Sequence, residues 1–171
     1  MYDKFFEIYR TRSKDHLVFT LPKDKVIAFD WDDTLIDSHL QFEHAVRRSI
    51  ELYGSMVNFK RFEHEVTAVI PDWVFEFFDK LEHKIYIISN KPQGLLESEI
   101  KDVRLLSKIH KIIGDANKPS IASFRNISAD GVMFGDSVRN DLIGSLVAGW
   151  EFQLLNVNMM RRNSSVEVIY I

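Results

Sequence analysis

The sequence predicts an α/β domain built on a mainly parallel sheet, and three observations carry that prediction. Short apolar runs recur along the chain with helical patterns between them, the order that joins parallel strands through crossover helices. The runs are near-continuously apolar rather than alternating, as in strands buried on both faces. Three of them end on polar residues, Asp30, Ser89 and Asp136, and sheets of this type bind ligands at the carboxyl ends of their strands. The expected architecture is a Rossmann-like three-layer α/β/α domain with a small helical cap inserted after the first core strand.

Each element follows from local pattern. Residues 1–10 carry Phe5, Phe6 and Tyr9 and read as a docked helix. Residues 16–20 and 166–171 are strand-like in composition; they either extend the sheet at an edge or mediate self-association. Residues 25–30 (KVIAFD) form the first core strand, short, apolar and bounded by turn formers. Residues 38–70 hold two helical patterns, 40–53 and 59–69, separated by Gly54. Two helices exceed what one crossover needs, so 38–70 is assigned to the cap, and 1–37 with 71–171 to the core domain. Residues 71–82 open with Pro71 at a first helical position and place Trp73, Val74, Phe77, Phe78 and Leu81 at helical spacing. Strands are expected at 84–89 (KIYIIS), 109–114 (IHKIIG), 131–136 (GVMFGD) and 152–157 (FQLLNV), and helices at 94–106 and 142–148.

Composition narrows the function classes. A chain of 171 residues with 46% hydrophobic content can bury its own core, and 13 Phe and 3 Trp make that core rich in aromatic groups. A net charge of −3 argues against an extended nucleic-acid footprint. The absence of cysteine excludes disulfides, thiolate metal sites and a thiol nucleophile. No segment approaches the ~20 apolar residues of a membrane span, so no membrane partner is expected. The opening MYDKFFEIYRTRSKD is too charged for a secretory leader, which makes the cytoplasm the expected location. The six histidines are dispersed without metal-binding spacing; His39 and His44 fall in the cap, near substrate. Arg47, Arg48, Lys60, Arg61, Arg161 and Arg162 are expected in solvent. Nothing in the sequence speaks to oligomeric state.

The strand ends carry the chemistry. Asp30 and Asp32 sit two apart at one, and Asp136 and Asp141 flank the turn after another. Crowded carboxylates repel, so a positive charge belongs among them. Hard oxygen donors suit Mg²⁺, which takes one or two carboxylates, waters and substrate phosphate. Ser89 and Asn90 offer donors at a neighbouring strand end, and Lys118, in NKPS, offers a fixed cation. Phosphoryl transfer needs such positioned donors and cations. Asp33 and Asp37 read as turn and helix caps.

Four motifs in order make the chain resemble the haloacid dehalogenase (HAD) superfamily, phosphatase branch: Asp30-Trp31-Asp32-Asp33-Thr34-Leu35 after an apolar strand, Ser89 after another, Lys118-Pro119, and Gly135-Asp136 with Asp141. The resemblance spans residues 25–157. It implies that Asp30 is the nucleophile and Asp32 the general acid and base. It implies that Mg²⁺ is held by Asp30, Asp136 and the Asp32 backbone carbonyl, with Asp141 supporting the metal shell or orienting Lys118. Ser89, Asn90, Lys118 and Thr34 are then the phosphate-binding set. Asp32 favours phosphoryl over dehalogenase chemistry, since an alkoxide needs a proton and a halide does not. A second Lys-Pro pair makes Lys91 the alternative to Lys118. The expected partner is a small phosphorylated substrate or a phosphorylated polymer end. A phosphotransferase such as a phosphomutase and a non-catalytic binding protein stand as alternatives. A signalling receiver domain would place its acidic pair before the acceptor Asp, which disagrees with the order here.

Overall fold

A computed structural model describes residues 17–162 and 166–171. The order is β1 (Leu17–Leu21), β2 (Val26–Phe29), α1 (His39–Tyr53), two 3₁₀ turns (Met56–Arg61 and Glu63–Glu65), α2 (Asp72–Asp79), β3 (Ile85–Ile88), α3 (Gln93–Glu99), α4 (Val103–Leu106), β4 (Ile109–Ile113), α5 (Ala122–Arg125), β5 (Gly131–Gly135), a π turn (Val138–Leu142), α6 (Ile143–Ala148), β6 (Glu151–Leu154), α7 (Val157–Arg162) and β7 (Val166–Tyr170). No described helix is long and apolar enough to cross a membrane.

The main sheet is parallel throughout, in the order β4-β3-β2-β5-β6. The chain leaves β2 toward β3 and β4, then returns to lay β5 on the other side of β2. Strand order therefore reverses between β2 and β5, where ligands of open α/β sheets bind. Phe29 lies opposite Ile87 and Phe134, which carries the following residues to a common edge.

The two-residue period of each strand divides the core. Ile27, Phe29, Ile85, Ile87, Val132 and Phe134 join Val74, Phe77, Phe78 and Leu96 on one face. Ala28, Tyr86, Ile88 and Met133 join Phe124, Ala148 and Trp150 on the other. Helices cover both, giving the three-layer α/β/α arrangement that the apolar strands predict. Phe29 stacks on Phe134 with centroids 4.7 Å apart and meets Phe77 edge-on at 5.7 Å. Such pairs add about 0.5–1.5 kcal/mol each beyond burial.

Several expectations need correction. The strand-like flanks do not extend the main sheet: β1 and β7 pair in parallel, from Leu17 opposite Val166 to Leu21 opposite Tyr170, as a separate two-stranded sheet. Leu17, Phe19 and Leu21 pack into the first face. The Tyr170 hydroxyl donates to the Lys80 carbonyl at 2.6 Å and accepts the Glu82 N–H at 3.0 Å. The helix expected over 94–106 is two helices, because the backbone turns out at Ile100 and Asp102 caps α4 anew through the Arg104 N–H. Leu142 belongs to the π turn, and the last core strand stops at Leu154. The second cap helix, 59–69, is absent. Gly54 ends α1 in the left-handed conformation, Ser55 starts a 3₁₀ turn by accepting the Val57 N–H, and the chain is extended again by Val66. No residue of Met56–Arg61 is fully buried, and the half-buried Phe59 and Phe62 reach Phe42 and Tyr53 of α1 from separate short turns rather than from one helical face. The helix expected over residues 1–10 lies outside the described residues.

Candidate active site

Asp30 follows β2, its N–H donating to the Phe134 carbonyl at 2.9 Å across the central strand pair. The next turn is tight: the Trp31 carbonyl accepts both the Leu35 and the Ile36 N–H. Asp33 takes φ 58° there, and its Oδ1 accepts the Ser38 N–H and hydroxyl, the capping role expected of it. Asp37 Oδ1 likewise accepts the His39 N–H at the start of α1. Trp31 is wholly buried and anchors the turn, so that Asp30 and Asp32 stay at the cavity.

Lys118 is buried between two carboxylates, 2.8 Å from Asp30 Oδ1 and 2.5 Å from Asp141 Oδ1. The Asn90 side chain holds it there, with Oδ1 accepting the Lys118 N–H at 2.7 Å and Nδ2 donating to the Lys118 carbonyl at 3.1 Å. Asp141 Oδ2 accepts the Ser137 N–H at 3.1 Å. Gly135 makes room for this: a Cβ there would stand 2.5 Å from Asp141 Cγ. Ser89 is buried, and its Oγ accepts the Lys91 N–H at 3.0 Å, leaving the hydroxyl proton to donate into the cavity. Thr34 donates to Asp136 Oδ1 at 3.2 Å, which sets it among the acids.

One cavity of about 450 Å³ is lined by Asp30, Asp32, Ser89, Asn90, Lys118 and Asp136 from beyond the strand ends, and by His39, Phe42, Phe59, Lys60 and Glu63 from α1 and the 3₁₀ turns. Phe42 meets Phe59 edge-on at 5.3 Å. His44 is instead paired with Glu65 at 2.7 Å, and Arg47 and Arg48 pair with Glu43 and Glu51.

The electrostatics leave a place for a cation. Oxygen atoms of Asp30, Asp136 and Asp141 all lie within 4.8 Å of one another. Lys118 serves Asp30 and Asp141; Asp136 has no cationic side chain against it among the described residues. Burial, and then the Asp30 charge, push Asp136 up to about 6 and Asp141 up to about 7. Burial opposes the charge of Lys118, but the Asp30 and Asp141 carboxylates outweigh it and hold its pKa above the ordinary lysine value. A hard divalent ion fits this all-oxygen donor set and supplies the charge it lacks. The Asp32 carboxylate is not part of the cluster. Burial pushes it up to about 6 against the pull of Lys91, whose ammonium lies 2.7 Å from Oδ1.

Sequence reasoning treated Lys91 and Lys118 as rivals for one position. Both are buried at the site, each with its own acid: Lys118 meets Asp30, and Lys91 meets Asp32. Glu99, which pairs with Lys91 at 2.8 Å, and Gln41, which donates to Glu99 at 2.8 Å, were missed. Glu99 had a signal. It lies three residues after Leu96 and next to Ile100, on the apolar side of its helix, where a charge needs a buried partner.

No family model matches the sequence, and no curated protein is similar to it. Solved structures do match. A candidate phosphoglycolate phosphatase from Lactobacillus plantarum superposes with a TM-score of 0.67 at 16% identity, over 87% of this chain and 95% of that one. The candidate HAD-hydrolase YfnB from Bacillus subtilis, bound to magnesium, gives 0.61 at 16% identity, over 75% and 86%. A HAD phosphatase from Thermococcus onnurineus gives 0.56 at 16%, over 78% and 87%. With its parallel sheet, its switch-point acids and these superpositions, the chain has the fold of the HAD-superfamily hydrolases.

Proposed function

We propose that the chain is a Mg²⁺-dependent phosphatase that hydrolyses a phosphate monoester through an aspartyl-phosphate on Asp30. The observation that carries this reading is the meeting of Asp30, Ser89, Lys118 and Asp136 in one cavity, with Asp141 buried behind Lys118 and its oxygens near those of Asp30 and Asp136. A Mg²⁺ held by Asp30, Asp136 and the Asp32 carbonyl, with Asp141 in support, would neutralise charge on the phosphoryl oxygens.

The chain's own groups do the rest. An Asp30 oxygen attacks phosphorus, a P–O(Asp30) bond forms and the bond to the leaving oxygen breaks. Asp32 gives that oxygen a proton. It then takes a proton from water as the water attacks phosphorus and the P–O(Asp30) bond breaks, so inorganic phosphate leaves and both aspartates are restored. A carboxyl raised to about 6 suits this double duty. Ser89 and Lys118 hold the transferring group. Phe42, Phe59 and Lys60 face the leaving group, which belongs to a small phosphorylated molecule or the phosphorylated end of a larger one.

The test is phosphate release from an aryl phosphate with Mg²⁺ present. Release should vanish in Asp30→Asn; full activity in that variant would refute the nucleophile. Transfer of the phosphoryl group to an added alcohol or sugar in place of water would favour the phosphotransferase alternative.

A further inference from the structure

Lys91 has no part in the chemistry above, yet it is one of the most enclosed charges in the protein. Its side chain is 5% exposed and that of Glu99 is 4%. The Lys91 ammonium lies 2.7 Å from Asp32 Oδ1, and 2.9 and 2.8 Å from the two Glu99 oxygens. Glu99 is fixed in turn: Trp31 Nε1 donates to it at 2.7 Å and Gln41 Nε2 at 2.8 Å. Gln41 comes from the cap helix α1 and also donates to the Val66 carbonyl at 2.8 Å. The clamp is therefore closed from three directions: core helix α3, the turn after β2, and the cap.

Buried ion pairs are poor stabilisers, because desolvation offsets the attraction. Stability alone gives little reason for a lysine here. What the arrangement does give is placement. Asp32 Oδ1 is shielded from solvent and accepts no aligned hydrogen bond, so the Lys91 charge 2.7 Å away is what holds it, while the side chain as a whole keeps 30% exposure and lines the cavity. Resting on the phosphatase reading, we infer that Lys91, clamped by Glu99 and Gln41, is the positioning residue for Asp32, fixing the carboxyl at the distance from which it reaches the leaving oxygen. Neither lysine substitutes for the other: Lys118 orders the nucleophile, Lys91 the proton carrier.

The test compares two substrates. 4-Nitrophenyl phosphate has a leaving group that needs no proton; a simple alkyl phosphate has one that does. Lys91→Met/Glu99→Gln removes the clamp without leaving Glu99 as a buried, unpaired charge. Lys91→Arg keeps the charge but changes its reach and shape. Misplacing a general acid forfeits part of the 10²–10⁴-fold it contributes. In both variants kcat/KM for the alkyl phosphate should fall by at least tenfold. For the aryl phosphate kcat/KM, which reports steps up to transfer onto Asp30, should change by less than threefold. Its kcat and KM should fall together, because hydrolysis of the intermediate still calls on Asp32 as base. Equal losses of kcat/KM on the two substrates, or no loss on the alkyl phosphate, would overturn the inference. A wild type that releases phosphate from neither substrate would defeat the phosphatase reading, and the inference with it, and is distinguishable from both of those results.

Discussion

Adding one methyl group at Gly135 should disable the acid that orients Lys118. Gly135 ends β5 with an ordinary strand conformation, so alanine introduces no backbone strain. Its Cβ would sit 2.5 Å from Asp141 Cγ and 2.6 Å from Asp141 Cβ. Carbon atoms prefer about 3.5–4.0 Å, so Asp141 must retreat by about 1 Å. That retreat stretches the 2.5 Å contact with Lys118 past hydrogen-bonding range. Overpacking costs about 1–3 kcal/mol, and a lost charge-assisted bond about 1.5–3 kcal/mol. Relaxation and the remaining Asp30 partner reduce the total, to about 2–4 kcal/mol. Urea unfolding at pH 7.5 without metal measures it. The cause is isolated in a double-mutant cycle with Asp141→Gly, which removes all three atoms that are struck, Oδ2, Cγ and Cβ. In that background Gly135→Ala should cost less than about 1 kcal/mol. An equal cost with and without the Asp141 side chain would refute the reasoning, because the clash would then lie elsewhere.

Two more outcomes follow from the site. Asp136 and Asp141 are raised to about 6 and about 7 from 3.8; groups raised in this way bind more protons folded than unfolded, so stability without metal falls as pH climbs from about 4 to 7. Mg²⁺ binds the ionised acids, and at about 100 times Kd it should add about 2.7 kcal/mol, a rise in Tm of about 5–10 °C at pH 8 with little change at pH 5; equal shifts at both pH values would contradict this. Asn90→Ala removes the two bonds that hold the Lys118 backbone, and should cost about 1–2 kcal/mol in urea unfolding while lowering kcat/KM at least tenfold. Unchanged kcat/KM would show that Lys118 keeps its place without Asn90.

Much of the fold and the site was legible in advance because the relevant signals are local. Each core strand is a short apolar run, and the residue that ends it is where the chemistry sits, so VIAF led directly to Asp30 and IYII to Ser89. What stayed hidden was non-local. Nothing near Leu17 announces a partner at Val166, because parallel pairing depends on a register set by the whole fold. Residues 59–69 have helical spacing, but Phe59 and Phe62 meet Phe42 and Tyr53 from short 3₁₀ turns and the chain is extended again by Val66, so pattern alone did not sustain a helix. The pairing of Lys91 with Asp32 and Glu99 was hidden for the same reason: a lysine's partners are chosen by three-dimensional neighbours, and two Lys-Pro pairs look alike until the sheet separates them. Trp31 offered a partial clue, since a buried indole N–H needs an acceptor, and Glu99 provides it.

The claim on which the rest depends is that Asp30 accepts a phosphoryl group while Ser89 and Lys118 hold it. A crystal structure grown with Mg²⁺ and beryllium fluoride, which mimics a phosphoryl group on a carboxylate, tests it most directly. The account predicts trifluoroberyllate bonded to an Asp30 carboxylate oxygen, with its fluorines within hydrogen-bond range of Ser89 Oγ and Lys118 Nζ, and the metal ion against Asp136. Trifluoroberyllate on another residue, or an Asp30 left unmodified with the ion bound away from Asp136, would contradict it.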